Sequence, residues 1–172
     1  MDPVEEKLKS RSNLLWAPWR IRYILEDKKD ECLFCKKAAL GDDAAAYIVA
    51  RGEFSFALLN IFPYNSGHLM AAPYRHTAEL EKLPLEEITD LMTLVQRSVK
   101  ALKRSMEPEG FNVGFNLGRS AGAGVIDHLH LHIVPRWQGD TNFMPILADT
   151  GVIPQSLEEV YRLLRDSFSA LE

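Results

Sequence analysis

The chain has 172 residues, a net charge of −4, and 47% hydrophobic against 26% charged residues, which fits one ordinary domain with enough apolar material for a core. The acidic balance argues against a general nucleic-acid binder, because phosphate backbones are held by basic patches, but a small anion needs only a local site. No apolar run reaches the length of a membrane span, and the charged start Met1-Asp2-Pro3-Val4-Glu5-Glu6-Lys7 lacks the apolar stretch of a secretory signal, so no membrane association and a cytoplasmic location are expected.

Residues 1–15 are polar, and Trp16 to Ile24 is aromatic and apolar, punctuated by Pro18. Both cysteines of the chain fall in Cys32-Leu33-Phe34-Cys35. In a chain expected to stay in a reducing compartment, this spacing points to metal binding or redox chemistry before a structural disulfide. Lys36 to Leu40 reads as a short helix ending at Gly41. Tyr47–Ala50 and Phe54–Asn60 read as strands, Pro63 to Gly67 as a turn, and His68–Pro73 as a third strand. Such hairpins imply antiparallel pairing. Thr77 to Leu83 is helix-like but irregular. Pro84-Leu85-Glu86-Glu87 opens the main helix, with Ile88, Leu91, Met92, Val95, Val99 and Leu102 on one apolar stripe, ending near Met106. Met92 on that stripe is expected in the core. Phe111–Leu117 is the fourth strand, followed by the small-residue loop Gly118-Arg119-Ser120-Ala121-Gly122-Ala123-Gly124. The chain is loop-like from Arg136 to Pro154, and Ser156-Leu157-Glu158-Glu159 is a capping box for a final helix. The sum is an α+β domain with a five-stranded antiparallel sheet, a long helix and a C-terminal helix.

The fifth strand is the informative one. Asp127 to Arg136 alternates strictly, and three of the five histidines, His128, His130 and His132, sit two apart within it. Successive side chains of a strand point to opposite faces, so the three imidazoles share one face, roughly 7 Å apart, and Leu129, Leu131 and Ile133 share the other. Three readings fit: unreactive buried histidines, a metal site built from all three, or a reactive histidine flanked by two supports. The loop before the strand brings backbone N–H groups close to an anion, which favours the third.

The run His128-Leu129-His130-Leu131-His132-Ile133-Val134 resembles the signature of the histidine triad (HIT) superfamily, with further likeness from about Cys32 to Phe143. Phe56 to Asn60, then Pro63 to His68, is similar to the family's nucleotide-binding strand and its Pro-x-x-x-Gly-His turn. Pro135-Arg136-Trp137 with Gly139 to Phe143 resembles the branch that contains bacterial diadenosine tetraphosphate phosphorylases.

The resemblance implies a HIT-like domain over residues 31–172 behind an N-terminal extension over 1–30, two copies paired as a homodimer, and an adenosine nucleotide or dinucleoside polyphosphate as the ligand. It implies His130 as the nucleophile toward an α-phosphate, forming a covalent nucleotidyl-histidine. His128 and His132 support it electrostatically, and His68 packs behind the triad. Asn60, Asn116, Ser120, Gly122, Gly124, Phe56 and Leu58 would contact the nucleotide. In zinc-carrying relatives a Cys-x-x-Cys pair joins two histidines, which here are His76 and His128. Cys32, Cys35, His76 and His128 would hold a structural zinc with no open position. Trp16–Tyr23 is either a segment wrapped against the domain or a partner, or a stacking wall for a base. One position departs from the pattern: many relatives have Gln or Ser four residues before the first triad histidine, and here Gly124 stands there. Phosphorolysis, hydrolysis, phosphoramidase activity, a regulatory nucleotide binder without turnover, and a zinc enzyme using all three triad imidazoles as ligands remain open alternatives.

Overall fold

The protein was described as a computed structural model covering residues 32–140, 153 and 155–171. The expectations for residues 1–30, for Trp16–Tyr23 and for Thr141 to Phe143 lie outside the described residues.

The elements are α1 (Leu33–Ala39), α2 (Asp43–Ala46), β1 (Ile48–Arg51), β2 (Ser55–Leu59), β3 (Leu69–Pro73), α3 (Leu85–Met106), β4 (Gly110–Phe115), β5 (Leu131–Arg136) and α4 (Leu157–Ser169). The five strands form one sheet in the order β1-β2-β3-β5-β4, each pair antiparallel. The expected α+β class and five-stranded antiparallel sheet are what the chain adopts.

The sheet has two apolar faces. On one, Ala57, Leu59, Leu69, Ala71, Leu131 and Ile133 pack against Leu91, Leu94, Val95 and Leu102 of α3 and Val160, Leu164 and Phe168 of α4. On the other, Phe56, Leu58, Met70 and Ala72 pack under Phe34 of α1 and Ala46 of α2. The period of two along each strand sorts these sets. His132 is the register partner of Met70 on β3 and of Gly114 on β4, while the helix-covered face takes its neighbours Leu131 and Ile133. The site is therefore built on the sheet face opposite the long helix.

Several expectations need correction. Met92 is 42% exposed, not core. The stripe that α3 buries runs through Leu91, Leu94, Val95, Ser98, Ala101 and Leu102, which leaves Met92 on its outer flank. The helix after the cysteines starts at Leu33, so Cys35 lies within it and Cys32 takes the N-cap position. The stretch before α3 holds only a single 3-10 turn, Leu80–Lys82. The triad strand is shorter than its alternation suggested. It begins at Leu131, and its pairing with β3 starts at Ala71↔Leu131. Beyond that point β3 offers Pro73, which has no N–H to give a ladder. Leu129 donates its N–H to Thr77 O instead, at 2.6 Å.

The β1–β2 turn is fastened to α3 by one carboxylate. Asp90 accepts the N–H groups of Glu53 (3.1 Å) and Phe54 (3.0 Å) and the Ser55 hydroxyl (2.5 Å). A Cβ at Gly52 would stand 2.6 Å from Asp90 Oδ2, and three donors keep that carboxylate from moving aside. Gly52→Ala is expected to cost about 1–3 kcal/mol through this overlap. In a thermal melt the loss appears as a lower Tm, roughly 2–4 °C per kcal/mol for a domain of this size. An unchanged Tm would mean the carboxylate yields.

Candidate active site

A row of imidazoles crosses the exposed half of the sheet face. His128 and His130 are buried, His132 is half-buried and His68 is fully buried. His130 and His132 lie with ring centroids 4.9 Å apart, and His68 and His132 5.1 Å apart. Phe34 of α1 covers the rings of His128 (5.1 Å) and His130 (4.8 Å).

The protonation pattern follows from the partners, because each neutral ring has one donor and one acceptor nitrogen. Tyr64 donates its backbone N–H to His68 Nδ1 at 3.1 Å. That nitrogen must be bare, so His68 carries its proton on Nε2 and donates it to His132 Nδ1 at 2.9 Å. His132 then holds its own proton on Nε2. His130 donates Nδ1–H to the His128 carbonyl at 2.8 Å, which leaves Nε2 with a free lone pair. His128 donates Nε2–H to Pro73 O at 2.9 Å, which leaves its Nδ1 bare. The carbonyl acceptor that a histidine nucleophile requires is thus the peptide of His128.

That bare Nδ1 faces the cysteines. It lies 3.1 Å from Cys32 Sγ, 3.6 Å from Cys35 Sγ and 3.4 Å from His76 Nδ1, and Cys35 Sγ is 3.5 Å from His76 Nδ1. All four ligand atoms lie within 4.8 Å of one another. A tetrahedral zinc with Zn–S of about 2.3 Å and Zn–N of about 2.0 Å sets its ligand atoms ~3.3 to ~3.8 Å apart, and the four edges from 3.1 to 3.6 Å lie close to this range. The donor set, two thiols and two imidazoles, suits zinc. His76 is held in place from α3: its neighbour Arg75 is gripped by the carboxylate of the buried Glu87, with contacts of 2.6, 2.9 and 3.0 Å. Burial, then the neighbouring Cys32 and Asp127, push the Cys35 thiol up when no cation is present.

The remaining candidate residues are spread more widely. Asn60 is nearly buried. Its Oδ1 accepts the Phe62 N–H at 2.9 Å, and its amide nitrogen reaches His68 Nδ1 at 3.3 Å. Phe56 and Leu58 are fully buried in the cluster beneath Phe34. Asn116 follows β4 and is half-buried. Ser120 lies exposed in a 3-10 turn, Arg119–Ala121, closed by Gly122 at φ +85°. Gly124 is exposed, and a Cβ there would meet nothing within 4 Å. The local space therefore does not demand glycine at the position where relatives have a polar side chain. Sequence reasoning passed over two aromatic residues. Phe34 stands within the Cys32–Cys35 run, where the sequence carries no signal for its ring. Tyr64 was read as a turn residue, but its ring stacks on His132 (5.8 Å) and tilts over His68 (4.7 Å). Its place four residues before His68 was the available signal. No helix among the described residues is long and apolar enough to cross a membrane.

A neutral, backbone-tethered imidazole with a bare nitrogen, flanked by two more, stands on a five-stranded antiparallel sheet in an α+β domain. The HIT domain family model matches residues 43–139, and the chain belongs to the HIT family. It is 44% identical over 159 residues to an AP-4-A phosphorylase of Mycobacterium tuberculosis, covering 87% of this chain and 81% of that one. It is 35% identical over 105 residues to an adenosine 5′-monophosphoramidase of Schizosaccharomyces pombe, covering 61% of this chain and 74% of that one. Its fold overlays that of a Zn-bound histidine triad family protein from Mycobacterium smegmatis with a TM-score of 0.68 at 29% identity, over 83% of this chain and 96% of that one.

Burial lowers the His68 pKa from its ordinary 6.5 to about 3, helped by the neighbouring His132 and His130. Burial, then His130, lowers that of His132 to about 4. A histidine depressed in the folded state refuses a proton that the unfolded chain accepts. Its contribution to stability is therefore full above pH 6.5 and is lost as the pH falls toward the folded value. Thermal melts should show stability flat above about pH 7 and falling below pH 6.5, at about 1.4 kcal/mol per pH unit for His68 alone. A profile flat down to pH 4.5 would contradict the neutral row.

Proposed function

We propose that this chain is a diadenosine tetraphosphate phosphorylase, converting diadenosine tetraphosphate and inorganic phosphate to ADP and ATP. The observation that carries the reading is the His130 tautomer: Nδ1–H tied to the His128 carbonyl and Nε2 bare. The identity to the mycobacterial AP-4-A phosphorylase supports the substrate class.

The reaction runs in two displacements. His130 Nε2 attacks an α-phosphorus, a P–N bond forms, the P–O bond to the rest of the substrate breaks, and ATP leaves. No proton transfer is needed to free the nucleophile, because its lone pair is already exposed. The positive charge that develops on the ring is spread to Nδ1–H and its carbonyl acceptor. An oxygen of inorganic phosphate then attacks the same phosphorus, the P–N bond breaks, ADP forms, and the ring returns to its neutral state. His132, with its proton on Nε2, donates a hydrogen bond toward the phosphate oxygens, and His68 keeps that proton on the outer nitrogen. Asn60, Asn116, Ser120 and the backbone around Gly122 and Gly124 bind the nucleotide, with Phe56 and Leu58 backing the apolar wall.

Zinc belongs to the reading as a structural ion held by Cys32, Cys35, His76 and His128. It ties α1 to the triad and supplies no open coordination position for the reaction. Pairing of two copies is also part of the reading. β4 is an edge strand, and Val113 on it and Leu117 just after it are 46% and 48% exposed; a solution mass of one chain in light scattering would remove this part.

The test is incubation of the pure protein with diadenosine tetraphosphate, with and without inorganic phosphate, separating the nucleotide products. ADP plus ATP, formed only with phosphate, is expected. AMP plus ATP without phosphate would make the protein a hydrolase. Turnover restricted to adenosine 5′-phosphoramidate would move it to the phosphoramidases, and no turnover of either would leave a binding role. His130→Asn should lower kcat by roughly a thousandfold or more, as loss of a covalent nucleophile does, while the fold, read by circular dichroism, is kept.

A further inference from the structure

Tyr64 stands at the end of the imidazole row, and most of its ring is not used there. The ring lies close to parallel with those of His132 (5.8 Å, 28°) and His68 (4.7 Å, 37°), so it forms the next layer on a stack of rings. A tyrosine that only sealed the imidazoles would be buried, yet Tyr64 is 65% exposed. Among the described residues only Phe62, two positions away on the same turn, is a second exposed Phe, Tyr or Trp. We propose that Tyr64 is a stacking platform for the second base of the dinucleotide, the one carried by the leaving nucleotide, and that it sets a preference for substrates with a nucleoside at both ends. The assignment rests on the reading that a dinucleoside polyphosphate is the substrate.

The order of the rings decides which base meets Tyr64. His130 carries the attacking nitrogen, so the α-phosphorus sits over it. Phe34 covers His128 and His130 from one end, above the cluster that contains Phe56 and Leu58, which the reading gives to the reacting nucleoside. His132 follows His130 at 4.9 Å, and Tyr64 follows His132. A phosphate chain that runs from the α-phosphorus past His132 therefore carries the far nucleoside toward Tyr64 and away from Phe34. The turn holds the ring in place before any ligand arrives. Tyr64 N–H donates to His68 Nδ1 at 3.1 Å, and the Asn65 amide donates to Pro135 O at 3.2 Å and to Asp140 Oδ2 at 2.9 Å. A seated aromatic ring loses little freedom when a base stacks on it, and offset stacking at 4.5–7 Å between centroids suits such a pair. Every base has a π-face, so the platform selects for the presence of a second base and not for its identity.

The experiment compares the wild-type protein, Tyr64→Leu and Tyr64→Phe on two substrates, each with inorganic phosphate. One is diadenosine tetraphosphate. The other is adenosine 5′-tetraphosphate, which has the same four phosphates and a single nucleoside. Attack on its α-phosphorus releases triphosphate in place of ATP, and phosphate then gives ADP as before. Leucine keeps apolar bulk over the imidazoles but offers no flat face, and phenylalanine keeps the face. Both keep the backbone N–H that His68 accepts. The wild type should prefer the dinucleotide in kcat/KM by about fivefold to a hundredfold, the usual effect of one stacked base. Tyr64→Leu should lose that preference, mainly through a higher KM for the dinucleotide, with the single-nucleoside substrate changed by less than about twofold. Tyr64→Phe should keep it. Calorimetric Kd values on His130→Asn, with and without Tyr64→Leu, read the same preference without turnover. The assignment is overturned if the wild type shows no preference, or if Tyr64→Leu leaves it intact. It is equally overturned if Tyr64→Leu slows both substrates alike, which would make the ring a cover for His132, or if Tyr64→Phe behaves as Tyr64→Leu does. If neither substrate is turned over but His130→Asn binds the dinucleotide more tightly and Tyr64→Leu removes the difference, the phosphorylase reading fails and the platform stands. If the dinucleotide does not bind, both fail.

Discussion

Three buried imidazoles and a half-buried fourth cannot stand side by side unless they are uncharged and each buried ring N–H finds an acceptor. Desolvation disfavours the cationic form, and each neighbour penalises it further. The rest of the site follows from meeting that condition with backbone groups. Pro73 O takes the proton of His128, the carbonyl of His128 takes that of His130, and the backbone N–H of Tyr64 forces that of His68 onto His132. Pro73 O belongs to β3 and the Tyr64 N–H to the turn before it, while the His128 carbonyl lies just ahead of β5. Two lone pairs are left over, that of His128 Nδ1 toward the cysteines and that of His130 Nε2.

The sheet achieves this by a division of faces. The helix-covered side holds the larger apolar cluster, and its packing against α3 and α4 holds Leu131 and Ile133 in place. Because side chains alternate, holding those two fixes His132 on the opposite side. On that side α1 and α2 cover only part of the sheet, and Phe34 reaches the triad directly. The second apolar cluster thus doubles as the support beneath the reactive imidazole and the mount for the two cysteines.

Much of this was legible in the sequence where a short-range pattern controls the outcome. The period of two around Leu131 and Ile133 gave the face of the histidines, the Ser156 capping box gave the start of α4, and the spacing of Cys32 and Cys35 pointed to metal binding or redox chemistry. Met92 failed because the periodicity admits either flank of α3, and Leu94, not Met92, points at the sheet. The length of β5 failed because alternation belongs to the side chains, whereas a ladder needs a donor on the neighbouring strand, and Pro73 has none. The tautomers were not legible as a set, since they depend on which backbone groups of the folded chain meet each ring: Tyr64 N–H at His68, Pro73 O at His128 and the His128 carbonyl at His130. The partnership of His76 and His128 with the cysteines came from family resemblance; spacing alone left it undetermined.

The last feature concerns His68. Its inner nitrogen faces a peptide N–H, a group that gives a hydrogen bond but takes up no proton in water. The pair His132–His68 looks like a proton wire leading from the reaction centre into the domain, yet it ends on an insulator. A proton entering at His132 has no exit on the far side. A proton given up at His132 Nε2 must come back through the same nitrogen, from the open side of the site. The row of histidines therefore behaves as a fixed array of dipoles, and proton traffic with bulk water is confined to the open side of the site.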